Sequence, residues 1–196
     1  MKELINGKYH KAFFVQRETV DKTFIKTARV NFFRPHVTGK KVLHIGFVDW
    51  PITDPDNNLH LSLSPLCERL DGFDVNFEHA EELRVPNGEL YNEWDLLPND
   101  YDVIIIPEVI EHVGNVEDFL RKISLKTGVL IITAPDAYLL QHEWEETDSE
   151  FLEAVHPDHN CYYTPYTLKS TIEKYTDRKV TSLHWVNKRS VAAICK

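Results

Sequence analysis

The sequence predicts an α/β fold: a doubly wound, mostly parallel sheet with helices on both faces and a C-terminal antiparallel hairpin. Three observations carry this. The runs VIIIP (103–107) and VLIITAP (129–135) are apolar without alternation, as in strands buried on both faces. Apolar strands alternate along the chain with amphipathic helical segments, the pattern of a layered α/β domain. Finally, KVTSLHWV and SVAAIC flank NKR, which reads as two strands joined by a turn.

Taken in order, residues 16–34 predict a helix with Val20, Phe24, Thr27, Ala28 and Phe32 near one side, stopped by Pro35 and Gly39. KKVLHIG follows as a buried strand, then FVDWPITDPDNN as a long polar loop. NLHLSLS predicts a short helix ended by Pro65. LDGFDVN is a second strand with Asp74 at its end. Residues 78–99, with Pro86, Gly88 and an isolated Trp94, predict no clear element. In VEDFLRKISLK, Val116, Phe119, Leu120 and Ile123 make one apolar helical face. Residues 137–160 are long and acidic and read as a lid or insertion. Thr164 and Pro165 suit the N-cap and first position of a helix reaching Tyr175. The expected organisation is one domain over 1–196, with 1–39 as a helical lead.

A chain of 196 residues, 42% of them hydrophobic, is long enough for a substantial core. A net charge of -9 argues against a general nucleic-acid surface, which needs a basic face. MKELINGKYHK has no apolar core of a signal peptide, and no apolar run approaches membrane-spanning length. Cys67, Cys161 and Cys195 are sparse and without metal-type spacing, which suits a reducing cytoplasm.

The segment EVIEHV follows the strongest strand directly. On a helix, Glu108, Glu111 and His112 would share one face. Such a face is either solvated, with acids favoured at a helix start, or a metal site of hard oxygen and borderline nitrogen ligands. HPDH offers His156 and His159 as further partners. Asp74, at a strand end, can accept from two vicinal hydroxyls or simply cap the next turn.

These signals, in this order, resemble a class I S-adenosylmethionine-dependent methyltransferase of Rossmann-like fold, over roughly residues 40–195. KVLHIG resembles that family's first strand and GFDVN its second. YDVIIIPEVIEHVGNVEDFL is similar to the fourth strand and helix of the ubiquinone-pathway O-methyltransferases. The resemblance implies S-adenosylmethionine as cofactor, with Gly46 at the first turn, Asp74 on the ribose, Asp95 near the adenine and Glu108 bordering the cofactor site. It also implies a divalent metal (Mg, Mn or Zn) on Glu108, Glu111 and His112. DHNCYYT resembles the context that completes such a site in small-RNA 2′-O-methyltransferases, which implies His159 as fourth ligand with His156 in reserve. A metal-free arrangement, with His112 or His156 as general base, stands beside it.

The resemblance departs at one point. Gly46 is followed by Phe47, Val48, Asp49 and Trp50 rather than by further glycines, so the first loop is degenerate. The expected function is O-methylation of a small molecule or saccharide. An inactive methyltransferase-like binding module and an RNA 2′-O-methyltransferase are the alternatives. Trp50 and Tyr138 are pocket candidates, and Trp144 with the acidic run 143–150 a lid. Arg29 and Arg34 are possible partners of an anionic substrate group. Asp136 is assigned no role.

Overall fold

The computed structural model describes residues 17–49, 54–126, 128–140 and 156–196, together with the backbone of four short strands. Those four form two antiparallel pairs: β1 (Glu3–Ile5) with β2 (Lys8–His10), and β9 (Glu145–Glu146) with β10 (Phe151–Leu152). The main sheet has eight strands: β3 (Val20–Asp21), β4 (Lys41–Ile45), β5 (Arg69–Phe73), β6 (Leu90–Tyr91), β7 (Val103–Pro107), β8 (Val129–Pro135), β11 (Val180–Val186) and β12 (Ser190–Cys195). Their spatial order is β3-β11-β12-β8-β7-β4-β5-β6. Strands β8, β7, β4, β5 and β6 are mutually parallel, and β12 runs antiparallel to both β8 and β11.

The chain leaves β4 for β5 on one side and returns to β7 on the other. That reversal is a topological switch point, where α/β sheets form a crevice at the carboxyl ends of their strands.

The unbroken apolar strands are explained by two cores. Leu43, Ile45, Ile104, Ile106 and Ile132 face one layer, with Leu120 and Ile123 of α3 (Val116–Ser124) and Leu168 and Ile172 of α5 (Pro165–Tyr175). The alternate residues Val42, Val103, Ile105 and Ile131 face the other. There they meet Phe32, Phe33 and Val37 of α1 (Arg29–Val37) and Leu59 and Leu63 of α2 (Leu59–Leu63). Helix α5 begins with the expected Thr164 cap, in a capping box with Thr167. A short helix, α4 (Ala137–Leu140), follows β8. No helix of the described residues is long and apolar enough to cross a membrane.

The lead segment differs from its expectation. Val20 and Asp21 pair in parallel with Leu183 and His184 at the sheet edge, so the helix starts only at Arg29. It also runs through Pro35 to Val37. An interior proline costs about 3 kcal/mol; burying Phe32 and Phe33 completely returns about 3–6 kcal/mol, which offsets it. Residues 78–99 hold three 3₁₀ turns around β6.

Candidate functional site

The segment after β7 does not form the expected helical face. Glu108 takes a left-handed backbone conformation, φ 53°, which interrupts helical propagation. A 3₁₀ turn follows at Ile110–His112. The strained residue is fixed on two sides. Its N–H donates to the Thr133 carbonyl (3.0 Å), and the Thr133 hydroxyl donates to its Oε1 (2.6 Å). Ser190 also hydrogen-bonds its side chain. Non-glycine residues in this region persist only where the surroundings over-determine them.

The elbow turns Glu111 inward. It is 1% exposed, and neither carboxylate oxygen has a hydrogen-bond partner. Burial first, and the Glu108 carboxylate second, push its pKa well above the usual carboxylate range. Burial likewise raises Glu108, against the Thr133 hydrogen bond.

The 156–160 segment is stitched onto this turn. Asn160 N–H donates to the Glu111 carbonyl (2.7 Å), and its side-chain amide donates to the His112 carbonyl (2.8 Å). His112 Nδ1 lies 3.0 Å from Asp158 Oδ2. His156 and His159 stack at 4.5 Å, and His159 meets His112 edge-on at 4.7 Å. Burial, then His112 and His156, lower the His159 pKa to about 4, so its ring is neutral and able to ligate.

Glu111, His112 and His159 each offer a donor atom, all within 4.8 Å of one another. One carboxylate and two imidazoles suit a borderline divalent cation, and the orphaned Glu111 oxygens fit such an ion. Glu108 and His156 stand beside this group, outside the three.

The β4 and β5 ends are arranged differently. Gly46 has φ 77° and donates its N–H to the Phe73 carbonyl (2.8 Å). A Cβ there would collide with Val109, so glycine is required by backbone angle and by space. Phe47 turns inward at 1% exposure, packing on His60 at 4.9 Å. Asp74 is 5% exposed; its Oδ2 accepts from Val48 N–H and its Oδ1 from Asn76 N–H, both at 2.9 Å. Its carboxylate thus ties down the loop after Gly46. Burial raises its pKa against these bonds.

Asp95 is exposed on the 3₁₀ turn after β6. Tyr138 is also exposed, whereas Asp136 is fully buried, capping α4 and accepting from Trp185. Trp50, Trp144 and the side chains of the 143–150 run lie outside the described residues.

A cavity of about 520 Å³ opens at the Glu111 cluster, a size suited to a small ligand. Its lining includes Arg29 and Asp49, Glu108, Glu111 and the three histidines, and Asn187, Arg189 and Ser190 of the β11–β12 turn. Gly46, Asp74 and Asp95 do not line it, and neither does Arg34. The link to Asp74 is Asp49: burial raises its pKa, Arg29 lowers it and Asp74 raises it. Sequence reasoning left Asp49, Asn187, Arg189, Ser190 and Asp158 without roles. Asp158 was visible between the two histidines of HPDH; the others come from turns whose spatial neighbours only the fold supplies.

Sheet order, switch-point crevice and an acid at the β5 end fit the class the sequence resembles, the class I S-adenosylmethionine-dependent methyltransferases. Residues 13–175 match the family described as "Methyltransferase domain", and the chain belongs to that family. No curated protein matches it in sequence. A SAM-dependent methyltransferase from Aquifex aeolicus is similar in structure, at TM-score 0.59 and 17% identity, over 85% of this chain and 87% of that one. An S-adenosylmethionine-dependent methyltransferase from Mesorhizobium loti gives TM-score 0.56 at 9% identity, over 85% and 94%. Magnesium protoporphyrin IX methyltransferase from Synechocystis PCC 6803, solved with bound SAH, gives 0.53 at 13%, over 85% and 78%. At these identities the likeness is one of fold.

Proposed function

We propose that the protein methylates a hydroxyl oxygen of a small molecule or saccharide, within one domain, with a divalent cation held by Glu111, His112 and His159. The observation that carries this reading is the buried, unpartnered Glu111 carboxylate beside two imidazoles. A buried carboxylate without partners is costly, and a cation removes that cost. When bound, S-adenosylmethionine supplies an electrophilic sulfonium methyl. The cation supplies positive charge that makes a nearby hydroxyl more acidic.

The chain's own residues orient the partners. Asp74 offers acceptor oxygens for the ribose hydroxyls, and Gly46 keeps the turn clear of a side chain. Asp95, on the same rim, is assigned to the adenine side. Glu108, held by Thr133 and Ser190, fixes the elbow that aims Glu111; we assign it positioning rather than ligation. Asp158 orients the His112 ring through Nδ1 and leaves Nε2 for the cavity, as carboxylates do behind metal-bound histidines.

The same Asp158 contact favours a second reading. A histidine oriented by a carboxylate is also equipped as a general base, so His112, with His156 beside it, would accept the hydroxyl proton without a metal. Turnover of a catechol or sugar acceptor, measured with and without chelator in wild type and Glu111→Gln, separates the two. The cation reading expects chelator and substitution each to abolish turnover. Full activity of Glu111→Gln in chelator contradicts it and leaves His112 as base. No binding of S-adenosylhomocysteine by calorimetry would instead indicate a binding module.

A further inference from the structure

The three donor atoms grouped at the cavity come from two separate pieces of chain. Glu111 and His112 lie together on the 3₁₀ turn after β7, whereas His159 sits far along in a segment without helix or strand. Ligands borne on irregular backbone are held less firmly than those on helices or strands. Whatever fixes His159 against the other two therefore decides whether the group is formed before an ion arrives.

By itself the 156–159 piece closes only on its own atoms. His159 N–H donates to the His156 carbonyl (3.1 Å), and Asp158 N–H donates to His156 Nδ1 (3.3 Å). The next anchor downstream is buried Tyr163, whose carbonyl accepts from Ala137 N–H (2.8 Å) and which bridges to Asp136 just beyond β8. The chain from His159 to Tyr163 can span up to about 14 Å, far more freedom than the 4.8 Å within which the three donor atoms lie. Asn160 removes that freedom. Its main-chain N–H donates to the Glu111 carbonyl (2.7 Å) and its side-chain amide to the His112 carbonyl (2.8 Å). The residue beside one ligand thus holds the carbonyls of the other two, and two bonds to successive carbonyls restrict both distance and rotation. Asp158 is a tie of another kind. It meets the His112 ring at Nδ1 (3.0 Å) through a side chain 81% exposed, and exposed pairs hold segments together weakly. Asp158 orients the ring, while Asn160 sets the spacing. The amide is the group required, because a carbonyl oxygen can only accept and an ionised aspartate of the same shape cannot donate to it.

We propose that Asn160 is a positioning residue for the cation site: it touches neither ion nor acceptor, and locks His159 onto the Glu111–His112 turn before the ion binds. This rests on the cation reading above and deepens it. Ordering the third donor in advance raises affinity, because less freedom is lost on binding. Partners behind the ligands act in this way at metal sites generally.

The test has two readouts on the full chain, neither of them turnover. First, manganese and zinc are titrated separately by calorimetry, and the ion that wild type binds more tightly is carried through the variants. Asn160→Ala, which keeps the main-chain bond and removes only the amide, should weaken that ion about tenfold. Asn115→Ala, which removes an equally exposed asparagine capping α3, should leave it unchanged. Second, proton NMR of the ion-free protein follows through-space contacts between imidazole rings. Wild type should show a contact between His112 and His159, whose rings lie 4.7 Å apart, and one between His44 and His60, at 5.3 Å. Asn160→Ala should lose the first and keep the second. Unchanged ion affinity in Asn160→Ala, a His112–His159 contact that is missing in wild type or survives the substitution, or loss of both contacts together overturns the proposal; the last result would make Asn160 a folding residue. Failure of the cation reading looks different: wild type binds neither ion, or His159→Ala binds it as tightly as wild type. Either result removes the cation site, and this proposal with it, whatever the ring contacts show.

Discussion

The two halves of the sheet's carboxyl rim are finished to different degrees. At the β4–β5 rim Asp74 accepts from two backbone amides, Val109 fills the space over Gly46, and Phe47 is folded into the core. On the β7–β8–β12 side, Glu108 is strained, both Glu111 oxygens are orphaned, and three histidines crowd the opening. Incomplete satisfaction in a folded protein has a cost. The second half thus has unpartnered acceptors that a ligand could take up, while the first must exchange internal hydrogen bonds to admit one.

Breaking the β4–β5 half at its tightest point should have the largest effect. Gly46→Ala places a Cβ against Val109 at positive φ, and is expected to destabilise by about 2–4 kcal/mol in denaturant unfolding. Adding Val109→Ala should recover only the steric part, since the backbone strain remains. On the other half, Glu111→Gln should lower chelator-sensitive turnover at least about 100-fold with little loss of stability, because the group it removes is already unpaired. Asp74→Asn should weaken S-adenosylhomocysteine binding about tenfold or more, read by calorimetry, and leave acceptor binding unchanged.

A smaller effect lies under the β4–β5 half. His44 and His60 are buried with Nδ1 atoms 3.3 Å apart, and both Nε2 atoms lack partners. Burial lowers the His60 pKa to about 4 and the His44 pKa well below its ordinary value. Both depressed values mean the unfolded chain binds more protons as the pH drops. The two histidines' contribution to stability should be fully present above about pH 6.5 and be lost below it, at up to about 1.4 kcal/mol per pH unit per histidine. Urea midpoints from pH 7 to 4.5 measure this, and the His44→Leu, His60→Leu double variant should show a flatter profile.

Much of the fold was legible in sequence because doubly buried strands advertise themselves: VIIIP and VLIITAP could feed nothing but two cores. The Thr164 cap and the NKR turn were equally local. The lead was misjudged because Val20 and Phe24 fit a helical stripe, whereas sheet-edge pairing with β11 depends on residues more than 160 positions away. The elbow was misjudged because spacing alone cannot report a positive φ at Glu108; that angle is held by Thr133 and Ser190, from two other strands. The Glu111, His112 and His159 grouping was foreseen as part of a ligand set through resemblance. Arg189 was invisible as a cavity residue, since its place there comes from where the β11–β12 turn lies in the fold.

In the proposed reaction, donor and acceptor meet beside Asp49, between Asp74 and the Glu111 cluster. The most direct measurement is a crystal structure with S-adenosylhomocysteine and manganese, read by anomalous scattering. Ribose on Asp74, sulfur facing the cavity and a manganese peak among Glu111, His112 and His159 are the expected result. A cofactor whose sulfur points away from that cavity, with no peak at the three donors, would contradict it.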